Sequence, residues 1–145
     1  MSAVEKQGEY QPEIVVLYCR NCLTPGIDPP SGVLAAGGIV AKYVPMPCSS
    51  KVEPSHLMKI LERGADGVEV VGCPDGQCGF LDGNRRADKR VTRLRSLLAE
   101  IKLGEERLCM NRGTRLTSEA LFALAQKRAR AVAGLGPNPM KGVNR

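Results

Sequence analysis

No tryptophan occurs in the 145 residues, and aromatic side chains make up only 3% of the chain. A core must therefore be assembled from Val, Leu, Ile, Ala and Met. Few aromatic faces also means few platforms for stacking unpaired bases, which argues against nucleic acid as a partner. Histidine occurs once, as His56. One imidazole leaves little scope for acid–base catalysis, and neither a Ser–His–Asp set nor a pair of carboxylates stands out. His56 has charged neighbours in a helical stretch and reads as an exposed residue. No apolar run is long enough to span a bilayer. The segment 1–8 is polar and lacks an apolar signal core, so a cytoplasmic setting without membrane insertion is the expectation. Glycine-rich phosphate loops of the G-x-G-x-x-G and Walker kinds are missing, which removes a nucleotide-binding fingerprint.

What is present is an ordinary apolar fraction of 43%, a net charge of +6 and six cysteines. The length suits one domain. The positive surplus favours acidic partners without selecting one. In a reducing compartment, cysteines at short spacings point to metal ligation or redox chemistry rather than to a disulfide scaffold.

Strand and helix patterns alternate along the chain. Residues 13–18, 39–46, 68–72 and 107–112 read as short strands, the first a β-branched run without polar interruption, as expected of a central buried strand. Pro54 and Gly64 bracket a helix with Leu57, Ile60 and Leu61 on its apolar side. Residues 84–102 are the strongest helical stretch, with Ala87, Val91, Leu94, Leu97, Leu98 and Ile101 at steps of three and four. Thr117-Ser118-Glu119 opens a last helix to about Val132. Residues 32–38 are ambiguous between a short helix and a packed loop, since Gly37-Gly38 weakens a helix. The expected fold is α/β: a small three-layer domain around a parallel sheet of about four strands, with a flavodoxin-like strand order. It divides into a polar tail over 1–12, an α/β domain over 13–133, and a disordered Gly- and Pro-bearing tail over 134–145.

Five of the six cysteines follow strands. Cys19 and Cys22 form a C-x-x-C after the first, Cys48 follows the second, and Cys73 and Cys78 follow the third. Parallel strands end on one edge, so these thiols converge if the strands are neighbours. Thiolates are soft ligands that select zinc, copper(I) or iron–sulfur clusters. A structural zinc takes four Cys or His, as does a cysteine-ligated [2Fe–2S] cluster. Zinc ribbons more often carry two matched C-x-x-C hooks, and the mixed spacing here leans towards iron–sulfur. A zinc-stabilised interaction module without redox activity is the alternative. Cys19-Arg20-Asn21-Cys22 also resembles a thiol-exchange motif, but Pro25, Gly26, Pro29 and Pro30 bar the helix that should follow. Cys109, between Leu108 and Met110 in a strand, reads as an inert buried thiol. The basic run of 85–95 is either a solvated helix face or a surface near the cluster that stabilises its charge or docks an acidic partner.

Four stretches carry a family resemblance: Tyr18-Cys19-Arg20-Asn21-Cys22; 47–54, beginning Pro47-Cys48-Ser49-Ser50; 64–73, ending Val70-Val71-Gly72-Cys73; and Cys78 with the run from Gly83-Asn84 to Arg90-Val91. In these the chain resembles the delta-subunit family of methyl-viologen-reducing hydrogenases, over about Ile14 to Cys109. The resemblance implies a subunit that carries one [2Fe–2S] cluster and passes single electrons, without bond-making chemistry of its own. It implies a hydrogenase, formate dehydrogenase or other redox module on one side. On the other it implies a flavin-containing, heterodisulfide-reductase-like subunit of an electron-bifurcating complex, FAD belonging to that partner. The family's cysteines map onto Cys19, Cys22, Cys48, Cys73 and Cys78, five candidates for four ligand places. The chain departs from the family at Tyr18, where members often have a further cysteine, and at Pro74 and Gly79, where they often have histidine.

Overall fold

The computed structural model describes residues 11–46, 53–72 and 83–140. They form one five-stranded mixed sheet with helices on both faces. The strands are β1 (Glu13–Cys19), β2 (Gly32–Ala36), β3 (Ile39–Met46), β4 (Gly67–Gly72) and β5 (Leu108–Arg112). Three α-helices are described: α1 (Pro54–Glu62), α2 (Gly83–Glu100) and α3 (Ser118–Ala133).

Strand order is β2-β3-β1-β4-β5. β1 lies between β3 and β4 and is parallel to both, and β5 is parallel to β4. A central parallel strand is covered on both faces, which is why Ile14 to Cys19 are all buried. Alternate residues serve opposite layers. Ile14, Val16 and Tyr18 pack with Leu121, Ala125, Ala129 and Val132 of α3. Val15 and Leu17 pack with Leu57 and Leu61 of α1 and with Val91, Leu94 and Leu98 of α2. Burying each such Leu contributes about 2 kcal/mol.

The sheet has one strand more than the expected four. The ambiguous segment 32–38 is neither helix nor packed loop. It is β2 and the turn that joins it antiparallel to β3. Gly37 and Gly38 have φ of +59° and +80°, as a two-residue type I′ hairpin turn requires. The glycines that argued against a helix thus specify a hairpin. A second correction concerns α2, where Ala87, Val91, Leu94 and Leu98 are buried but Leu97 and Ile101 are 43% and 52% exposed.

The helices stop and start on local signals. Pro54 opens α1 behind Glu53, and Gly64 at φ +107° turns the chain at its end. Thr117 caps α3, its side chain accepting from the Ala120 amide at 3.1 Å.

Two polar clusters lock the layers together. Glu69, buried in mid-β4, accepts from Arg128 of α3 at 2.9 Å and from the Asn111 side chain on β5. Burial pushes its carboxyl upward in pKa, against the pull of those two partners. At the sheet edge where the strands begin, Asp66 accepts from the amides of Glu13 at 2.8 Å and Asn138 at 2.9 Å. Asn138 in turn donates to the carbonyls of Leu61 and Ala65 at 2.7 and 2.6 Å. Arg107 donates to the carbonyls of Asp66 and Gly136. The segment 134–140, expected as part of a disordered tail, is therefore strapped across this edge, with Asn138 only 1% exposed.

Candidate metal centre at the carboxyl edge of the sheet

The parallel register determines which strand ends meet. Cys19 stands opposite Met46, the last residue of β3. Tyr18 stands opposite Val71 of β4, one row before Cys19 and Gly72. β1, β3 and β4 therefore end in one row on one edge. The chain leaves that row two residues before Cys48 and one residue before Cys73. Cys48, Cys73 and Cys78 themselves lie outside the described residues. Of the five sequence candidates, the structure thus describes Cys19 and Cys22, and it brings these two together.

Cys19 ends β1, and the next three residues, Arg20–Cys22, make a single 3₁₀ turn. That tight turn carries both thiols at one end of the central strand. They are 1% and 0% exposed. The Cys22 thiol points at the Val71 carbonyl, 4.0 Å away, so it leans towards the end of β4. The loop beyond is held against the segment after β5. Leu116 donates to the Cys22 carbonyl at 2.8 Å, Thr24 to the Leu116 carbonyl at 2.8 Å, and the Thr24 hydroxyl to the Arg115 carbonyl at 2.7 Å. The prolines and glycine that excluded a helix here leave a loop whose backbone is instead tied across the edge.

Tyr18 contributes a neutral wall. Its phenol donates to the Pro30 carbonyl, and burial pushes its pKa from 10.0 up to about 12, with Arg20 pulling the other way. Two thiols with apolar neighbours and a protonated phenol suit a soft metal or an iron–sulfur cluster. Among the described residues no group of three Cys, His, Asp or Glu side chains stands close enough to hold a metal ion. A complete set of such ligands here would draw on residues outside the described ones.

The residues set aside on sequence grounds lie elsewhere. Cys109 pairs in register with Glu69, three rows from the Gly72 row, about 10 Å back along the sheet. His56 is exposed on α1. A cavity of about 630 Å³ between β2 and α3, walled by Val33, Tyr43 and Phe122 among others, holds none of the thiols. Sequence reasoning missed the Glu69–Arg128 pair. Its signal was a carboxylate inside the apolar run Val68-Glu69-Val70-Val71, which obliges a buried partner.

Comparison with known proteins agrees with this frame. The family model for methyl-viologen-reducing hydrogenase, delta subunit, matches residues 14–136. The D-type iron–sulfur subunit of an F420-non-reducing hydrogenase from Archaeoglobus profundus is 36% identical over 100 residues, 69% of this chain and 73% of its own. The corresponding vhu hydrogenase iron–sulfur subunit of Methanocaldococcus jannaschii is 31% identical over 100 residues, 69% of this chain and 75% of its own. The A-type subunit of a ferredoxin:CoB-CoM heterodisulfide reductase from Methanosarcina mazei is 39% identical over 61 residues, 42% of this chain but 8% of that much longer protein. With the family match running from β1 to beyond α3, the chain belongs to the methyl-viologen-reducing hydrogenase delta-subunit family.

Proposed function

We propose that this protein is an electron-transfer subunit whose [2Fe–2S] cluster is held by four of Cys19, Cys22, Cys48, Cys73 and Cys78. It relays electrons between a redox module, such as a hydrogenase or formate dehydrogenase, and the flavin subunit of a heterodisulfide-reductase-like, electron-bifurcating complex. FAD belongs to that partner, and the setting is cytoplasmic. No helix among the described residues is long and apolar enough to cross a membrane. Similarity to hydrogenase iron–sulfur subunits and to part of a heterodisulfide reductase supports both sides of the relay.

The observation that carries the reading is the row in which β1, β3 and β4 end, because the chain leaves the sheet there just before Cys22, Cys48 and Cys73. A bound cluster supplies a one-electron carrier. The protein's part is to bury the thiols, keep water from them and hold the loop of 20–24 still. The Tyr18 phenol, committed to Pro30, keeps its proton.

The test is electron paramagnetic resonance of the anaerobically purified, dithionite-reduced protein, with metal analysis and a Cys→Ser variant at each of the five positions. A reduced [2Fe–2S] signal is expected. Four of the five variants should lose or shift it and the fifth should leave it intact. Colourless protein with one bound zinc would instead establish a non-redox interaction module.

A further inference from the structure

α1 and α2 both begin at the cysteine edge, because each follows a strand that ends there: α1 after β3, α2 after β4. The ion pair between Asp88 and Arg112, at 3.4 Å, agrees with this, since Arg112 pairs with Gly72 in the edge row. A groove runs between the two helices. Its first part, about 200 Å³, is walled by Pro54, Arg86, Lys89, Arg90 and Arg93. Its second part, about 410 Å³, shares Pro54 and Arg93 and continues along Leu94, Ser96, Leu97 and Glu100. The groove is thus cationic towards the thiols and apolar away from them.

The sequence left two readings of these basic residues open, and the structure separates them. Positions 86, 90, 93, 97 and 101 form one stripe at steps of three and four, Lys89 beside it. Like charges so spaced repel each other and cost helix stability. Arg86, Lys89 and Arg93 are exposed, and none forms an ion pair with another described residue. Arg95, by contrast, is tied to Glu106 at 3.3 Å, and Asp88 is turned to Arg112. A face meant only to be solvated has no use for Leu97 and Ile101, which continue the same stripe at 43% and 52% exposure.

Together with the reading above, that this chain passes electrons to another protein of its complex, these facts identify an occupant. We propose that the α1–α2 groove docks an acidic, amphipathic helix of the redox partner. Its carboxylates meet Arg86, Lys89 and Arg93, and its apolar side chains cover Leu97 and Ile101. From Arg86 to Ile101 the stripe is ~22 Å long, room for about four helical turns. A polyphosphate chain matches the cationic half but gains nothing from the apolar half. Docking here sets the partner against the edge that carries Cys19 and Cys22, which shortens the path for an electron. Charge steers the encounter and the apolar contact holds it.

The experiment uses the full-length, cluster-loaded protein, with the flavin-bearing heterodisulfide-reductase-like protein of the same organism as the probe. Affinity is measured across a salt series. The variant Arg86→Glu/Lys89→Glu/Arg93→Glu should bind roughly 100-fold more weakly at low salt and lose most of the salt dependence. Leu97→Asp/Ile101→Asp should also weaken binding but keep the salt slope. Both variants should retain the resonance spectrum of the unsubstituted protein. A triple variant that binds within about threefold of the unsubstituted chain overturns the proposal. So does an unsubstituted chain that does not bind, or one whose basic residues bind duplex DNA while leaving the partner's affinity unchanged. Charge-dependent docking by a protein without any cluster signal would sink the electron-transfer reading and leave the groove standing.

Discussion

At the scale of single residues, the structure hides polar groups where a chain poor in aromatics would be expected to hide only aliphatic ones. Tyr18 is the clearest case. It has no exposed surface and donates to the Pro30 carbonyl, and burial holds its pKa at about 12. The folded phenol therefore keeps its proton more tightly than the unfolded one, whose pKa is 10.0. The stability this brings is whole below pH 10. It drains away as pH rises from there through the folded value, about 2–3 kcal/mol for a shift of this size. Tyr18→Phe should cost about 1 kcal/mol at neutral pH through the lost hydrogen bond. It should also flatten the fall in stability on the alkaline side. Urea midpoints for both proteins across that range would show it, and parallel curves would rule it out. Glu69 and Arg128 carry the larger stake. Removing Arg128 leaves the buried Glu69 carboxylate with only the neutral Asn111 side chain, a loss of the order of 3–5 kcal/mol, whereas removing Glu69 leaves Arg128 its second partner, the Glu106 carboxylate at 3.1 Å, and should cost less. This pairing could not be read from the sequence, because it joins residues 59 apart. Only the demand for a partner was legible, in the carboxylate that interrupts β4.

At the scale of elements, periodicity was a good guide wherever burial was two-sided or regular. β1 and β4 are apolar runs, and α1 and α3 carry apolar stripes; each lies within a residue or two of where its pattern ends. The pattern failed where burial does not impose a period. β2 is exposed along its whole length, so nothing in Gly32-Val33-Leu34-Ala35-Ala36 alternates, and its only mark is the Gly-Gly turn. The segment after α3 failed for a different reason. Its glycines and prolines deny it regular structure, which the sequence shows. They do not prevent it from being buried through its backbone and one asparagine, which the sequence does not show. Asn138 spans this strap and the α1–β4 connection with two side-chain donors, while its amide donates to Asp66 and its side-chain oxygen accepts from Met140. Asn138→Ala leaves the Leu61 and Ala65 carbonyls without these donors and should cost about 2–4 kcal/mol. Hydrogen exchange should rise across 134–140 and at the Glu13 and Asp66 amides. If the strap were a passive tail, exchange in the variant would match that of the unsubstituted protein.

At the scale of the whole molecule, hydrogen bonds fasten the described residues at both ends of the sheet. Where the strands begin, Asp66, Asn138 and Arg107 fasten β1, β4, α1 and the strap with hydrogen bonds already complete in the fold. Where they end, main-chain ties join the neighbouring segments, Gly113 donating to the Gly72 carbonyl at 3.0 Å. The Leu23–Leu116 bridge and the Thr24 hydroxyl tie the loop after β1 to the segment after β5, and the Cys22 thiol lies 4.0 Å from the Val71 carbonyl. Only one of these ends was legible in the sequence, since the cysteines follow the strands while the polar cluster at the other edge draws on residues scattered from 13 to 138. A cluster that ligates three segments would complete the second end, and its binding free energy would then count as folding free energy. Removing iron by anaerobic chelation should therefore lower the melting temperature by roughly 10 °C, on a scale of a few degrees per kcal/mol for a domain this size. The loss should also be one-sided. Amides of 20–24 and 113–116 should exchange faster without iron, while those of Glu13, Asp66 and Asn138 should keep their protection. Equal loosening of both ends would mean that iron supports the fold generally, and no change at either would mean that the thiols do not join these segments at all.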